Sequence, residues 1–234
     1  MPYFSWAQTG YSFINLGANY SSWINEAAND DFVFLSAEYG AGLNTAEYYG
    51  NVNIHNPTKE YKATPQKNLR YTMVNDLDIK INEAFRVHYQ DYHLLSNSLR
   101  VNDYVLGLAY KYTNQNIFWF KPFIGIHYSD DSYFTGLNGY MTGWLLNYNF
   151  KLLNHNFSIF QWNEIEFLRT KSFYELSTGT PIGDSKSYGL NGAIKLFWHP
   201  AKKIKTGIEY RYSKYKRGSD KWLSSFVYTV KYYF

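Results

Sequence analysis

Residues 225–234 read SFVYTVKYYF, a run in which the character of the side chains alternates until the chain stops on an aromatic residue. Successive side chains of a β-strand point to opposite sides, so this run has two different faces. One face carries Phe226, Tyr228, Val230, Tyr232 and Phe234. The other face carries Ser225, Val227, Thr229 and Lys231. The first face suits lipid and the second suits water, which is typical of the last strand of an outer-membrane β-barrel.

The composition favours the same architecture. Tyr and Phe are abundant, with 25 and 17 copies, yet the mean hydropathy of the chain is −0.45. No stretch approaches the ~20 apolar residues that a membrane-spanning helix needs. A closed barrel is the other structure that satisfies every backbone group inside a bilayer, and half of each of its strands is polar. We therefore predict an all-β protein, a single antiparallel transmembrane β-barrel.

Alternating segments that end at turn residues number about twelve, each near the ~9–11 residues of a tilted transmembrane strand. The predicted strands lie near residues 11–22, 33–41, 46–54, 69–79, 85–89, 104–112, 118–128, 140–150, 157–167, 188–198, 204–212 and 225–234. Pro122 cannot donate to a strand ladder, so we expect a bulge or a strand end there. Residues 56–68 and 171–185 are predicted as outer loops, and residues 199–202 as a turn at the periplasmic rim.

The remaining bulk features concern domains, location and partners. No linker divides the chain, so residues 1–234 are interpreted as one domain. The start lacks the basic and apolar regions of a signal peptide, and we expect that this peptide has been removed and that Met1 was added for expression.

The formal charge of +4 is dispersed, which argues against a nucleic-acid polymer as partner. The absence of cysteine excludes disulfides and thiolate metal sites. The predicted location is the bacterial outer membrane, in contact with its lipid.

A soluble antiparallel barrel or sandwich is the alternative fold, because its strands alternate as well. In such a protein the apolar faces would pack inward, and periodicity by itself does not distinguish inside from outside. The supply of Tyr, Trp and Phe favours the membrane barrel, since a soluble protein would leave too many of them exposed to water.

The presumed inner faces carry charges of both signs in near balance. The carboxylates are Glu38, Glu47, Asp76, Asp78, Asp103, Glu164, Glu166 and Glu209. The cations are Arg70, Lys80, Arg86, Lys111, Lys121, Lys195, Lys205, Arg211 and Lys231. Selective pores generally use rings of one sign, so this face predicts no strong preference for anions or cations.

Aromatic side chains are less expected on a face that meets water. They are Phe32, Phe34, Tyr49, Trp119, Phe123, Phe160, Trp162 and Phe197. One interpretation is that they fill the interior of a barrel of about twelve strands. The other is that they offer planes on which a flat ligand with polar edges, such as a nucleobase, can stack beside acids and amides.

An early hairpin carries a family resemblance. Residues 31–39 read DFVFLSAEY and residues 47–53 read EYYGNVN. This layout looks like the early hairpin of the nucleoside-specific channel family, Tsx and its OmpK-like relatives, in which an acidic, aromatic strand leads into a "YGY-D" type segment. The stretch 123–162 and the final three strands are similar in spacing, whereas residues 76–99 depart from the pattern.

That resemblance implies a monomeric twelve-stranded barrel with a narrow lumen that passes nucleosides or similar small solutes down their gradient. Asn51 and Asn53 stand where the family tends to place a carboxylate. The resemblance therefore implies a substrate preference that differs from that of the family.

Two other functions are alternatives. Residues 127–129 read HYS, and a His-x-Ser near a strand end resembles the dyad of outer-membrane phospholipase A and lipid A deacylases. Parity places His127 and Ser129 in the lumen, whereas an acyl chain would arrive from the lipid, so we expect no enzymatic activity. The histidines lack metal-ligand spacing, and we predict no metal and no cofactor. A structural or adhesive barrel that is recognised through its outer loops is the second alternative.

We therefore predict a passive outer-membrane channel for small, nucleoside-like solutes. The candidate site residues place hydrogen-bond acceptors beside aromatic planes in the lumen. They are Phe32, Phe34, Glu38, Glu47, Tyr49, Asn51, Asn53, Trp119, Trp162 and Glu164.

Overall fold

A computed structural model describes residues 10–24, 31–57, 69–97, 99–115, 117–176, 186–216 and 221–234. Within them the chain forms thirteen strands and one short helix. The strands are β1 (Tyr11–Trp23), β2 (Phe32–Gly42), β3 (Ala46–His55), β4 (Arg70–Lys80), β5 (Phe85–Leu95), β6 (Arg100–Tyr110), β7 (Tyr112–Asn114), β8 (Phe118–Asp131), β9 (Thr135–Leu152), β10 (His155–Phe167), β11 (Gly189–Ala201), β12 (Ile204–Lys214) and β13 (Leu223–Tyr233). The helix is α1 (Lys171–Leu176).

These strands close into one antiparallel barrel. Each strand pairs with its neighbours in sequence, and β1 pairs with β13 in a register that runs from Asn15 opposite Tyr233 to Trp23 opposite Ser225. Both β6 and β7 pair with β8, and Lys111 separates the two, so together they form a single wall strand. The barrel therefore has twelve wall strands, as the alternation predicted.

The faces of the strands are oriented as the membrane interpretation requires. On β13, Tyr228 and Val230 expose about half of their surface to the outside of the barrel, whereas Val227 and Lys231 are buried on the inner face. Exposed apolar and aromatic side chains recur on the outer face of the other wall strands as well. A soluble barrel would place these side chains inside, so the soluble alternative is wrong. No helix in the described part of the chain is long and apolar enough to span a membrane.

The two ends of the barrel differ in their connections. At one end, here called the turn end, short turns join β2 to β3, β4 to β5, β9 to β10 and β11 to β12. At the other, here called the loop end, two connections are short, at residues 96–99 and 132–134, and the long ones include residues 56–69 and 168–188. Parts of the two predicted outer loops, residues 58–68 and 177–185, lie outside the described residues, and so does the start of the chain. The predicted loop at 171–185 begins with α1, which the alternation did not predict.

Two local predictions differ from the structure. Pro122 lies inside β8, and its pairing with β9 continues in register from Lys121 to Phe123. The bulge in the β8–β9 pairing lies instead between Ile126 and Tyr128. The break between β6 and β7 lies on the other neighbouring strand of β8, close to the position opposite Pro122. The prediction near residues 85–89 is too short, because β5 continues to Leu95 and pairs with β4 along ten residues.

Candidate functional site

Among the described residues, two cavities in the interior of the barrel share part of their lining. The larger cavity has a volume of about 680 Å³ and opens toward the loop end. The smaller cavity has a volume of about 350 Å³ and lies at the turn end. Five residues line both, namely Glu38, Tyr49, Phe160, Lys195 and Lys231. These five residues are here called the junction, because they border both cavities.

The aromatic pair on β2 lies at the loop end of the larger cavity. Phe34 stacks on His55 of β3 with ring centroids 5.2 Å apart, and Phe32 contacts the same ring at 5.2 Å. The guanidinium of Arg211 lies 5.5 Å from the centroid of Phe34, and that of Arg70 lies 5.7 Å from the centroid of Phe32. Both phenyl rings are buried by these neighbours, so they contribute more to packing than to an open stacking surface.

Hydrogen-bond acceptors line the middle of the larger cavity. Asn51 and Asn53 share the inner face of β3, and the amide of Asn53 donates to Asn51 Oδ1 over 2.6 Å. Glu164 of β10 accepts a hydrogen bond of 2.8 Å from Gln90 of β5. These two strands are not neighbours in the sheet, so this bond crosses the lumen.

Asp76 completes this set of acceptors. It is buried on the inner face of β4 between Tyr49 and Gln90, and it lines the larger cavity. Its Oδ1 atom has no hydrogen-bond partner within the described residues. A solute that presents a donor would satisfy this oxygen, because a buried acceptor without a partner costs free energy.

Trp162 and Glu164 are the best-placed pair of the predicted set. They lie two residues apart on β10, so their side chains share the inner face of the barrel, and both line the larger cavity. An indole plane therefore lies beside a carboxylate in the same space.

The remaining predicted residues divide between the two cavities and the wall. Tyr49 and Glu38 belong to the junction, and Trp119 lines the smaller cavity, where it packs edge-on against Phe160 at 6.1 Å. Glu47 lines neither cavity. It is buried at the turn end with Lys111 at 2.5 Å and Arg86 at 3.8 Å, an arrangement in which its carboxylate balances buried cations.

The junction is held by ion pairs. Lys231 of β13 bonds Glu38 of β2 across the intervening strand β1. Lys195 of β11 lies 3.4 Å from Glu209, and Arg211 donates to the other oxygen of that carboxylate at 2.7 Å. The smaller cavity continues beyond the junction to Lys205, Lys202 and His199.

Comparison with known proteins assigns the family. The family model described as nucleoside-specific channel-forming protein, Tsx, matches residues 8–234. The chain belongs to the Tsx family. The resemblance in the early hairpin is thereby confirmed.

Solved structures of outer-membrane porins share the fold of this Tsx-family chain. The KdgM porin in complex with disordered oligogalacturonate is 12% identical with a TM-score of 0.54, over 94% of this chain and 99% of that one. The NanC porin is 11% identical with a TM-score of 0.54, over 94% of this chain and 98% of that one. At this identity they show the fold alone. Family and fold together place the chain in the bacterial outer membrane as a passive channel for small solutes.

This location fixes the orientation of the Tsx-family barrel. Bacterial outer-membrane barrels have short periplasmic turns and longer extracellular loops. The larger cavity therefore opens to the outside of the cell, and the smaller cavity faces the periplasm. The turn that joins β11 to β12 lies at this end, but it consists of residues 202–203, because β11 continues to Ala201 and includes three of the four residues predicted as turn, 199–201.

The His-x-Ser motif does not form the arrangement of a nucleophilic dyad. The Ser129 hydroxyl donates to Asp103 rather than to His127, and both Ser129 and His127 are fully buried. His127 Nε2 lies 3.3 Å from the same carboxylate. In the described residues, no group of three His, Asp or Glu side chains is arranged to hold a metal ion.

Sequence reasoning missed several residues that border the smaller cavity, above all its lysines. Lys195, Lys205, Lys231 and Phe197 were recognised as inward-facing, but none of them was included in the candidate site. The overlooked signal is the pairing of Lys205 directly opposite Lys231 on neighbouring strands. Like charges directly opposite each other destabilise an antiparallel pair.

Proposed function

We propose that this channel conducts nucleosides through the larger cavity, with a base stacked on Trp162 and ribose hydroxyls donating to Glu164 and Asp76. Family membership supports the substrate class. The observation that carries the proposal is the indole of Trp162 beside the carboxylate of Glu164 in a cavity of about 680 Å³. This volume falls within the ~300–1,000 Å³ of small-ligand sites, and base stacking contributes ~1–3 kcal/mol.

Asn51, Asn53 and Tyr49 extend this proposed path toward the junction. Their amide and hydroxyl groups supply donors and acceptors to the edges of a base, and Glu38 and Trp119 continue the path on the periplasmic side. Phe32 and Phe34 would hold His55 and Arg70 at the mouth rather than stack on the solute.

The test is liposome swelling with adenosine against a sugar of matched mass. Adenosine should enter faster in the wild type, and Trp162→Leu and Glu164→Gln should each remove most of that preference. A loss of about 1.4 kcal/mol corresponds to a tenfold change in apparent affinity. Trp198→Leu is the matched control, because Trp198 lies on the outer face of β11. Equal entry of both solutes would reduce the protein to an unselective pore.

We further propose that the chain acts as a monomer and without catalysis. The relatives in family and fold are channels and porins, and the burial of Ser129 leaves no access for an ester. Hydrolysis of detergent-dispersed phospholipid by wild type and His127→Ala should be equally absent. Activity in the wild type that the variant loses would contradict this proposal.

A further inference from the structure

The charges of the two cavities differ. Among the described residues, the larger cavity is lined by the carboxylates Glu38, Asp76, Asp103, Glu164 and Glu209. It is also lined by the cations Arg70, Lys195, Arg211, Lys216 and Lys231. The smaller cavity is lined by Lys195, Lys202, Lys205 and Lys231 against Glu38 alone. The balance predicted for the whole inner face therefore holds in the outer space and fails in the periplasmic one.

Lys205 contributes most to the excess of positive charge in the smaller cavity. Lys231 is paired with Glu38 and Lys195 with Glu209, but no carboxylate of the described residues forms an ion pair with Lys205. Its ammonium lies 3.9 Å from the ring centroid of Phe197, and the ammonium of Lys231 lies 5.4 Å from the same ring. Two ammonium groups thus share one aromatic ring on the inner wall.

The other polar groups of this cavity suit the same kind of ligand. Asn147 and Ser158 line it with side chains that can donate hydrogen bonds, and Trp119 and Phe160 supply aromatic surface. Oxyanions are bound by ammonium groups together with neutral donors, and such charge-assisted hydrogen bonds are stronger than neutral ones. An aromatic wall beside them suits a solute that has both a ring and an anionic group.

We propose that the smaller cavity is an oxyanion subsite centred on Lys205 and Lys231, and that the channel accepts phosphorylated nucleosides as well as nucleosides. The subsite itself rests on the charges and distances above. Its assignment to nucleoside monophosphates rests on the proposed function. The phosphate would lie between the lysines while the base remains on the junction side, near Phe160 and Tyr49.

The first experiment measures ion selectivity and needs no nucleoside. In planar bilayers under a KCl gradient, the reversal potential of the wild type should show that Cl⁻ is preferred over K⁺. Lys205→Gln should move it toward cation preference, and Lys205→Arg should keep the wild-type value. Lys203→Gln is the matched control, because Lys203 lies at the same rim on the exposed outer side against Tyr232. No Cl⁻ preference in the wild type, or no shift in Lys205→Gln, would overturn the subsite.

The second experiment measures block of the ionic current by adenosine, adenosine 5′-monophosphate, inorganic phosphate and acetate. The monophosphate should block at a concentration about tenfold lower than adenosine, and Lys205→Gln should abolish that difference. Phosphate blocking better than acetate identifies the phosphate group as the preferred oxyanion. Block by phosphate without block by adenosine would refute the nucleoside proposal and support the subsite. Equal block by adenosine and its monophosphate would overturn the assignment of the subsite to nucleoside monophosphates.

Discussion

Gly17 lies close to the ion pair of the junction. On β1 it is directly opposite Lys231 of β13 and Ser36 of β2, and a Cβ atom there would lie 3.1 Å from Lys231 Cγ and 2.6 Å from Ser36 Oγ. The side chain of Lys231 therefore crosses β1 over a residue with no side chain on its way to Glu38.

Glu38 and Glu47 provide a matched pair of buried carboxylates with different surroundings. Glu38→Gln should increase the preference of the channel for Cl⁻, because Lys231 loses its counter-charge in a space that ions cross. Glu47→Gln should leave the selectivity unchanged, because Glu47 lines neither cavity. Reversal potentials of the two variants under the same KCl gradient test this prediction, and equal shifts would contradict it.

The two substitutions should have the opposite order of effect on the stability of the fold. Glu47 forms ion pairs with Lys111, Arg86 and Lys80, and removing one partner of a buried ion pair lowers the free energy of unfolding by ~3–5 kcal/mol. Glu47→Gln should therefore lower the temperature at which the compact form in detergent gels converts to the unfolded band. Glu38→Gln should lower it less, since Glu38 has a single close partner. A larger drop for Glu38→Gln would refute this ranking.

Arg169 ties the extracellular loops together. It donates to Glu166 at 2.7 Å and to the carbonyl of Tyr215 at 2.6 Å, and so links the connection after β10 to the one after β12. Burial lowers the pKa of its guanidinium to about 10, which still leaves it charged at neutral pH. Its partner Glu166 is also buried and bonds Lys216 as well.

Arg169→Met should loosen these loops without opening the barrel, because the strands keep their ladders. Limited proteolysis of the reconstituted protein should cut within residues 168–188 several-fold faster than in the wild type. Arg100→Met is the control, since Arg100 forms an exposed pair with Asp130 at 3.1 Å, and such pairs contribute little. Equal cleavage rates in wild type and Arg169→Met would show that the contact does not order the loops.

At the scale of elements, β6 and β8 approach each other through two glycines. Gly107 and Gly125 are directly opposite in the antiparallel register. A Cβ atom on Gly107 would overlap the carbonyl oxygen of Ile124, which is backbone and cannot rotate away. The apolar cluster of Val105, Ala109, Phe123 and Met141 packs around this point.

Gly107→Ala should therefore destabilise the barrel by ~1–3 kcal/mol through overpacking. The measurement is again the temperature of the mobility shift in detergent gels. Gly17→Ala is the control, because its added methyl group meets the side chains of Ser36 and Lys231, which can move aside. A smaller effect of Gly107→Ala than of Gly17→Ala would show that the β6–β8 wall relaxes more easily than its contacts indicate.

At the scale of the whole molecule, closure depends on the seam between β1 and β13. This seam joins the two ends of the described chain, and the amide of Phe234 donates to the carbonyl of Ile14 at 3.2 Å. Unpaired backbone groups in a bilayer each cost several kcal/mol, so an open seam is not tolerated there. The terminal strand β13 is therefore required for the barrel to close.

Val230→Pro should prevent closure, because β13 pairs on both sides and the proline removes a ladder donor in the middle of the strand. The variant should run in unheated detergent gels at the position of the unfolded chain. Val230→Thr, which keeps the donor and changes the same outward position, should retain the compact form. A compact, heat-modifiable Val230→Pro protein would contradict the importance of the seam.

The sequence by itself determined the fold, the parity of each wall strand and the outer-membrane location. All three follow from the alternation of side chains between the two faces of a strand. This alternation is a local property that consecutive residues show directly, as Phe226 and Val227 do. The residue pattern of the hairpin at 31–53 was also sufficient to suggest the family.

Only the tertiary structure decided which inward residues meet a solute. Glu38 and Glu47 obey the same parity rule, yet one lies at the junction and the other is enclosed by Lys111, a residue 64 positions later in the chain. Likewise, the inner charges balance when counted along the sequence but separate into a neutral outer space and a basic periplasmic one. The reason is that cavities and ion pairs depend on which strands face each other across the closed barrel. The alternation of side chains along one strand carries no information about those contacts.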